Sequence, residues 1–300
     1  MARILISGAS GMVGSEVVQT LRTAGAQIVR LARAGGASRT GEQSIPWDPA
    51  QPISPDAVSG FDAVIHLAGE SIVGRWTTAK KARIRDSRIP ATTHLAQALA
   101  QAKQKPGVFL SASAIGYYGN RGDEVLAEDK SFGSGFTADL AHDWETATTS
   151  AVQAGIRTVQ MRIGIVLSDR GGALAKMLPA FKMGVGGRIG NGRQWMSWVD
   201  LQDVVGAIHH LLKTESLSGP VNLVAPQPVT NAEFTKVLAS VLSRPAIFPM
   251  PAFAARLAFG QMADELLLAS QRVEPSKLIS SRYAFRFGDL RGSLQAILGR

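Results

Sequence analysis

The sequence predicts an α/β protein built on a doubly wound parallel sheet, followed by a smaller C-terminal domain. Three observations predict this. An apolar run, Ile4-Leu5-Ile6, passes at once into a glycine cluster spaced Gly8-x-x-Gly11-x-x-Gly14, then into a helical pattern with Val13, Val17, Val18 and Leu21 on one face. Short apolar strands and helical stretches then alternate as far as residue 167. Beyond it the pattern shifts to glycine- and proline-rich connections and shorter helices. Residues 1–167 are therefore assigned to a nucleotide-binding domain, with about 190–225 returning to it, and 168–300 mainly to a second, smaller part. With no linker or low-complexity tract between them, the two parts should share an interface.

Strand, tight turn and helix succeed each other at the N-terminus as a dinucleotide-binding βαβ unit begins. Gly8 permits the turn, Gly11 lets the backbone approach a pyrophosphate, and Gly14 lets the helix pack closely. Ser10, Met12 and Val13 complete the turn and the first helical residues, whose free N–H groups and positive dipole end face the phosphates. The second strand, 27–31, runs into Ala32-Arg33-Ala34. An NAD site usually places a carboxylate here for the ribose 2′-hydroxyl, whereas a guanidinium attracts a 2′-phosphate. Ala32 and Arg33 thus favour NADP over NAD, against the plainer reading of a solvated surface arginine.

Residues 44–49 give a short third strand entering a proline-rich loop. The next strand, 63–69, ends in Leu67, Ala68 and Gly69, small enough for a cofactor to approach the backbone. A helical stretch over 77–104 begins with Lys80, Lys81, Arg83, Arg85 and Arg88. Most of these belong to a solvated face; Arg83 and Arg88 are the candidates for the cofactor phosphates or adenosine. Residues 108–113 form the fifth strand, which brings Ser111 to the cofactor and Ser113 to the strand end, before Gly116-Tyr117-Tyr118-Gly119. Phe136, Leu140, Trp144, Ala147 and Ala151 recur at helical spacing and predict one long helix. A sixth strand is expected over 158–167, with Val166 at the cofactor. A helix then follows Gly171-Gly172 to Lys182. The glycine-rich stretch 184–192 follows a helix, not a strand, and reads as loop. Next come a helix over 200–213, a strand over 221–224 returning to the sheet, and a helix to about Leu242 opened by the capping box Thr230-Asn231-Ala232-Glu233. Pro245, Pro249 and Pro251 interrupt the chain, and short helices run to Leu298.

Composition excludes several classes. The 300 residues are 45% hydrophobic and 18% charged, ordinary for a globular protein. No apolar run approaches a membrane span or a signal peptide, so no membrane partner is expected and a cytoplasmic location is. Cysteine is absent, which removes disulfides, thiolate nucleophiles and cysteine-held zinc, and the 5 histidines show no metal spacing. A net charge of +9 comes from dispersed cations without interleaved aromatics, so nucleic acid is not the expected partner. A phosphate-bearing cofactor and an anionic small molecule account for the excess more simply.

The chain resembles the extended short-chain dehydrogenase/reductases, and among them an atypical epimerase-like family of NADP-dependent oxidoreductases. The likeness runs through 8–14, His66-Leu67-Ala68-Gly69-Glu70-Ser71-Ile72, Ser87-Arg88, Ser113, Tyr117-Tyr118-Gly119, Trp144-Glu145 and 162–167. It continues through 186–194, Ser197-Trp198-Val199, Val224-Ala225-Pro226 and Thr230-Asn231, nearly the whole length. It implies a Rossmann domain, a small C-terminal substrate domain and a cleft between them. One departure matters. The family's usual Tyr-x-x-x-Lys pair is missing: Arg121, Gly122 and Phe287 stand four residues after Tyr117, Tyr118 and Tyr283, and the expected helix reads Phe136-Thr137-Ala138-Asp139-Leu140.

Ser113 and Tyr117 are the replacement catalytic candidates, with Arg162 able to lower a tyrosine pKa if adjacent; the alternative is that both hydroxyls only line the site. The expected activity is that of an NADP(H)-binding oxidoreductase or epimerase-like enzyme. Its substrate would be small, anionic or sugar-nucleotide-like, met by Lys176, Lys182, Arg188 and Arg193, with Trp195 or Trp198 stacking on a ring. Its rival is a non-catalytic NADP(H)-dependent sensor. Monomer and homodimer are both compatible with the sequence.

Overall fold

Residues 1–33 and 43–299 are described by the computed structural model, and Ala34 lies outside them. The chain enters through β1 (Arg3–Ser7), turns at the glycine cluster into α1 (Met12–Thr23) and returns as β2 (Gln27–Ala32). β3 (Gln43–Pro46) forms the sheet edge beyond β2, and β4 (Ala63–His66) lies on the other side of β1. Helices α2 (Thr78–Asp86) and α3 (Ile89–Gln101) lead to β5 (Val108–Ala114). The short β6 (Val125–Leu126) precedes α4 (Phe136–Thr146), α5 (Thr149–Gln153) and β7 (Arg157–Ile163).

β8 (Ile165–Leu167), α6 (Gly172–Lys182), β9 (Trp195–Met196) and β10 (Trp198–Asp200) follow. Then α7 (Leu201–Lys213) and β11 (Gly219–Leu223) complete the central sheet. The rest comprises β12 (Val229–Thr230), α8 (Asn231–Leu242), α9 (Ala252–Phe259), a π-helical turn at Ala263–Leu267, β13 (Arg272–Val273), α10 (Ser276–Ser280) and α11 (Leu290–Leu298).

The seven-stranded sheet has the order β11-β7-β5-β4-β1-β2-β3, and every pairing in it is parallel. Alternation along β1 explains its two-sided burial. Ile4 and Ile6 join Val17, Val18 and Leu21 of α1 and Val204, Ile208 and Leu211 of α7. Leu5 points the other way, to Leu95 and Leu99 of α3 and Phe109 of β5. The chain fills the sheet outward from β1 in one direction and then, from β4, in the other. Its switch point therefore lies between the ends of β1 and β4, where open α/β sheets hold ligands.

The expected return of a strand after residue 220 is found in β11, paired with β7 from Gly219↔Val159 to Leu223↔Ile163. Asp200 caps α7 through Gln202 N, and Thr230 and Glu233 form the capping box of α8. Three expected stretches are divided, and the helical one over 77–104 falls into α2 and α3. The long helix over 136–151 is two helices, because Thr148 Oγ1 donates to Glu145 O at 2.7 Å and the amides of Thr148 and Ala151 turn to carbonyls three residues back. The strand over 158–167 is likewise two. At Gly164 a Cβ would lie 2.5 Å from Ser197 O and 2.7 Å from Val224 Cγ1, and beyond it β8 leaves the sheet to pair with β10.

A further core of Leu174, Leu178, Phe234, Leu238 and Leu294 surrounds a fully buried Trp198. No helix among the described residues is long and apolar enough to cross a membrane.

Candidate functional site

Three glycines shape the switch point. Gly8 sits at φ 70°, and a Cβ there would lie 2.6 Å from Leu67 C, so the end of β1 and the chain leaving β4 meet with no room for a side chain. Gly14 is pressed against the Gly8 carbonyl, which lets α1 start directly behind the turn. At Gly11 a Cβ would meet only Gly8 O, at 3.3 Å, and both Ser10 and Gly11 are exposed. The outer face of the turn is thus open. No side chain caps α1 and no carboxylate stands in its first turn, so its leading amides and positive end face that opening. Val13 packs on the core and Met12 lies against Gly171 and Gly172. Ala32 is half-buried at the end of β2, and Arg33, the next residue, is exposed.

Beneath the switch point runs a buried polar chain. Ser7 Oγ lies 2.6 Å from His66 Nδ1, His66 Nε2 lies 3.0 Å from Thr92 Oγ1, and Trp144 Nε1 donates to the same hydroxyl at 2.9 Å. Complete burial, aided by Arg88, pushes the His66 pKa down to about 4, so the imidazole is neutral. Leu67 and Ala68 are half-buried and Gly69 is exposed. Arg88 holds this loop from behind: Nη2 donates to Glu70 O at 3.0 Å and Nη1 to Ile84 O at 3.1 Å, with the guanidinium 5.0 Å from the Trp144 ring centre. Its donors are engaged by the protein, and burial lowers its pKa to about 10. Arg83 is exposed on α2, Ser111 is buried within β5, and Val166 is half-buried in β8.

The hydroxyl candidates open onto a second network. Ser113, buried at the end of β5, donates to Glu145 Oε1 at 2.7 Å. Glu145 takes Arg162 in a two-pronged ion pair, Nε–Oε1 2.8 Å and Nη2–Oε2 2.9 Å. Arg162 Nη1 donates to Tyr118 Oη at 2.9 Å, and Tyr118 donates to Asn222 Oδ1 at 2.8 Å. Tyr117 differs from its neighbour. Arg162 lies 3.5 Å from its ring centre, so the cation meets the face of the ring, and the phenol is only half-buried. The arginine is adjacent as expected, yet the phenol it bonds is that of Tyr118. Burial outweighs the cation there and raises the pKa to about 12.

Phe136 and Leu140 occupy the first turns of α4, packed with Trp76 and Met262. Glu265, from the C-terminal part, caps that helix: its carboxylate accepts from Thr137 N at 2.8 Å, Thr137 Oγ1 at 3.0 Å and Phe136 N at 3.2 Å. Sequence reading gave no signal for Glu265, and marked Glu145 only as part of a resemblance. Of the expected substrate residues, Trp198 is fully buried with Nε1 on Gln227 O, which leaves it no free face. Trp195 is half-buried, bonded to Asp123 and stacked by Arg272 at 4.6 Å. Lys176, Lys182, Arg188 and Arg193 are exposed.

A glycine turn at the switch point of a seven-stranded parallel sheet, Rossmann-like and joined to a small C-terminal part, defines an atypical extended short-chain dehydrogenase/reductase. The chain belongs to the NAD dependent epimerase/dehydratase family, whose sequence profile matches residues 4–223. Residues 250–297 match a domain of unknown function, DUF1731. An epimerase family protein of Mycobacterium bovis is 43% identical over 98% of this chain and 96% of its own length. The crystal structure of the human epimerase family protein SDR39U1 with NADPH superposes with a TM-score of 0.88 at 31% identity, covering 99% of both chains. A nucleoside-diphosphate sugar epimerase from Corynebacterium glutamicum gives 0.81 at 35% identity, over 99% of this chain and 58% of that one.

Proposed function

We propose that this protein is an NADP(H)-dependent oxidoreductase or epimerase-like enzyme acting on a small substrate that is anionic or sugar-nucleotide-like. The observation that carries the proposal is the open glycine turn ahead of an uncapped α1, with Arg33 where an NAD site has a carboxylate. The human relative solved with NADPH supports the same cofactor. In this reading residues 1–167, with 190–225, hold the cofactor, and the remainder of 168–300 shapes the substrate side.

The residues present fit such a group. Gly8, Ser10, Gly11, Met12, Val13 and Gly14 would receive the pyrophosphate, and Ala32 and Arg33 the 2′-phosphorylated ribose. Leu67, Ala68 and Gly69 would flank the cofactor, with Val166 and the cation Arg83 beside it; Arg88, its donors taken by Glu70 O and Ile84 O, and the buried Ser111 would support that surface from within. Bound there, the nicotinamide supplies hydride transfer. Tyr117 is the proposed proton donor, since its phenol is half-buried and stands one residue from the Arg162-bonded Tyr118. Ser113 acts beside it, held by Glu145. A sensor remains the second reading, favoured by two observations: Phe136 and Leu140 stand where the Tyr-Lys pair would be, and Ser113 already donates to Glu145.

Fluorescence titration with NADPH and NADH tests the cofactor. A charge-assisted contact from Arg33 is worth about 1.5–3 kcal/mol, a preference of about ten- to a hundredfold for NADPH that Arg33→Ala removes. Equal affinities in the parent protein would overturn the assignment. Oxidation of bound NADPH by any of a panel of carbonyl compounds separates enzyme from sensor.

A further inference from the structure

One flank of the C-terminal part carries large apolar side chains that no described residue covers. α6 ends at Lys182, and Met183 and Val185 immediately beyond it are exposed. The segment after α8 lies alongside: Gly190 N donates to Met250 O and Met250 N to Arg188 O, both at 2.9 Å, and Gly187 is pressed against the Phe248 carbonyl. That segment exposes Ile247 and Phe248. In α9, which follows directly, Phe253 and Leu257 lie one turn apart at 72% and 76% exposure. Single exposed apolar residues are ordinary, but a cluster drawn from two paired segments marks an interaction surface.

Charge decides what fits there. Residues 176–199 contain Lys176, Lys182, Arg188 and Arg193, residues 242–261 add Arg244 and Arg256, and neither stretch has an Asp or Glu. Arg256 is held by Asp264 at 2.8 Å, while Lys182, Arg188 and Arg244 have no carboxylate partner among the described residues. A second copy of the chain would set like charges against each other across a two-fold axis. A protein partner fits poorly too. Residues 245–259 contain no Ser, Thr, Asn, Gln, Tyr, Trp or His, whereas specific protein interfaces carry about one hydrogen bond per 100–200 Å². A lipid surface asks only for apolar burial and opposite charge.

We propose that this flank docks on an anionic bilayer surface, with Ile247, Phe248, Phe253 and Leu257 entering the headgroup boundary and Lys182, Arg188 and Arg244 facing the lipid phosphates. The protein would lie on the membrane without spanning it.

Co-sedimentation of the full chain with vesicles of phosphatidylcholine, and of an equal mixture of phosphatidylcholine and phosphatidylglycerol, tests the proposal. Binding is expected to the mixed vesicles only and to weaken with salt. Phe253→Ser/Leu257→Ser should lower it about a hundredfold, and Lys182→Glu/Arg244→Glu should abolish the preference for the anionic vesicles. Circular dichroism and melting profiles like those of the parent would exclude misfolding, as exposed positions predict. No binding, or binding that both variants retain, would overturn the proposal. So would sedimentation velocity showing a parent dimer that Phe253→Ser/Leu257→Ser turns into a monomer, since the face would then join two copies.

Discussion

Glu145→Gln is the most direct test of how Ser113, Arg162 and Tyr118 are held. The side chains of Arg162 and Glu145 are 3% and 13% exposed, so their pair is almost wholly withdrawn from water. Burial alone would lower the Arg162 pKa, but the hydrogen-bonded carboxylate more than offsets it and holds the guanidinium above its ordinary value. Glutamine keeps the size but has one acceptor oxygen, and it turns an amide N–H₂ toward a guanidinium that can only donate. Removing one partner of a buried pair costs about 3–5 kcal/mol, because the remaining charge stays buried without compensation. At about 2–4 °C per kcal/mol for a large domain, Tm should fall by about 6–20 °C. The double variant Glu145→Leu/Arg162→Met removes both charges and should recover much of that loss, since desolvation of both ions disappears together. Thermal unfolding followed by circular dichroism at neutral pH measures all three proteins. A Glu145→Gln variant melting within about 2 °C of the parent would refute the reasoning.

Gly11→Val should fold and lose NADPH affinity, whereas Gly14→Ala, whose Cβ would strike the Gly8 carbonyl, should lose stability instead; normal NADPH binding by Gly11→Val would show that the phosphates are not held there. Once a turnover assay exists, Tyr117→Phe should lower kcat by about 10²–10⁴-fold with cofactor affinity intact. Tyr118→Phe should instead destabilise by about 1–3 kcal/mol, because Asn222 and Arg162 lose a buried partner. Full activity in Tyr117→Phe would remove it from the mechanism. His66 sets a pH dependence. Its folded pKa of about 4 lies below the unfolded 6.5, so between these values the unfolded chain binds the extra proton and stability falls as pH falls. About 3 kcal/mol should be lost by pH 4, and melting curves of His66→Gln should show a correspondingly shallower slope over that window.

The fold class could be read from the chain because its signals are local. Three glycines spaced by three, apolar runs of strand length and a 3.6-residue helical period are set by neighbours in sequence, as are the caps at Asp200 and Thr230. The place of the glycine turn and the absent Tyr-Lys pair needed no coordinates either. Where the helix over 136–151 breaks did need them, since Thr148 is also bonded by Gln160 of β7. The turn of β8 away from the sheet at Gly164 likewise depends on Ser197 and Val224, far along the chain. The partners of the buried hydroxyls were still less visible. Ser113 meets Glu145 across 32 residues, Tyr118 meets Asn222 across 104, and Thr137 is capped by Glu265 across 128. Sequence patterns record which face of an element is buried, because burial repeats with the element's period. They do not record which single carboxylate from another element arrives there, because one hydrogen bond leaves no periodic trace. The tertiary structure alone decided that the phenol bonded by Arg162 is Tyr118, and that Tyr117 offers the cation only its ring.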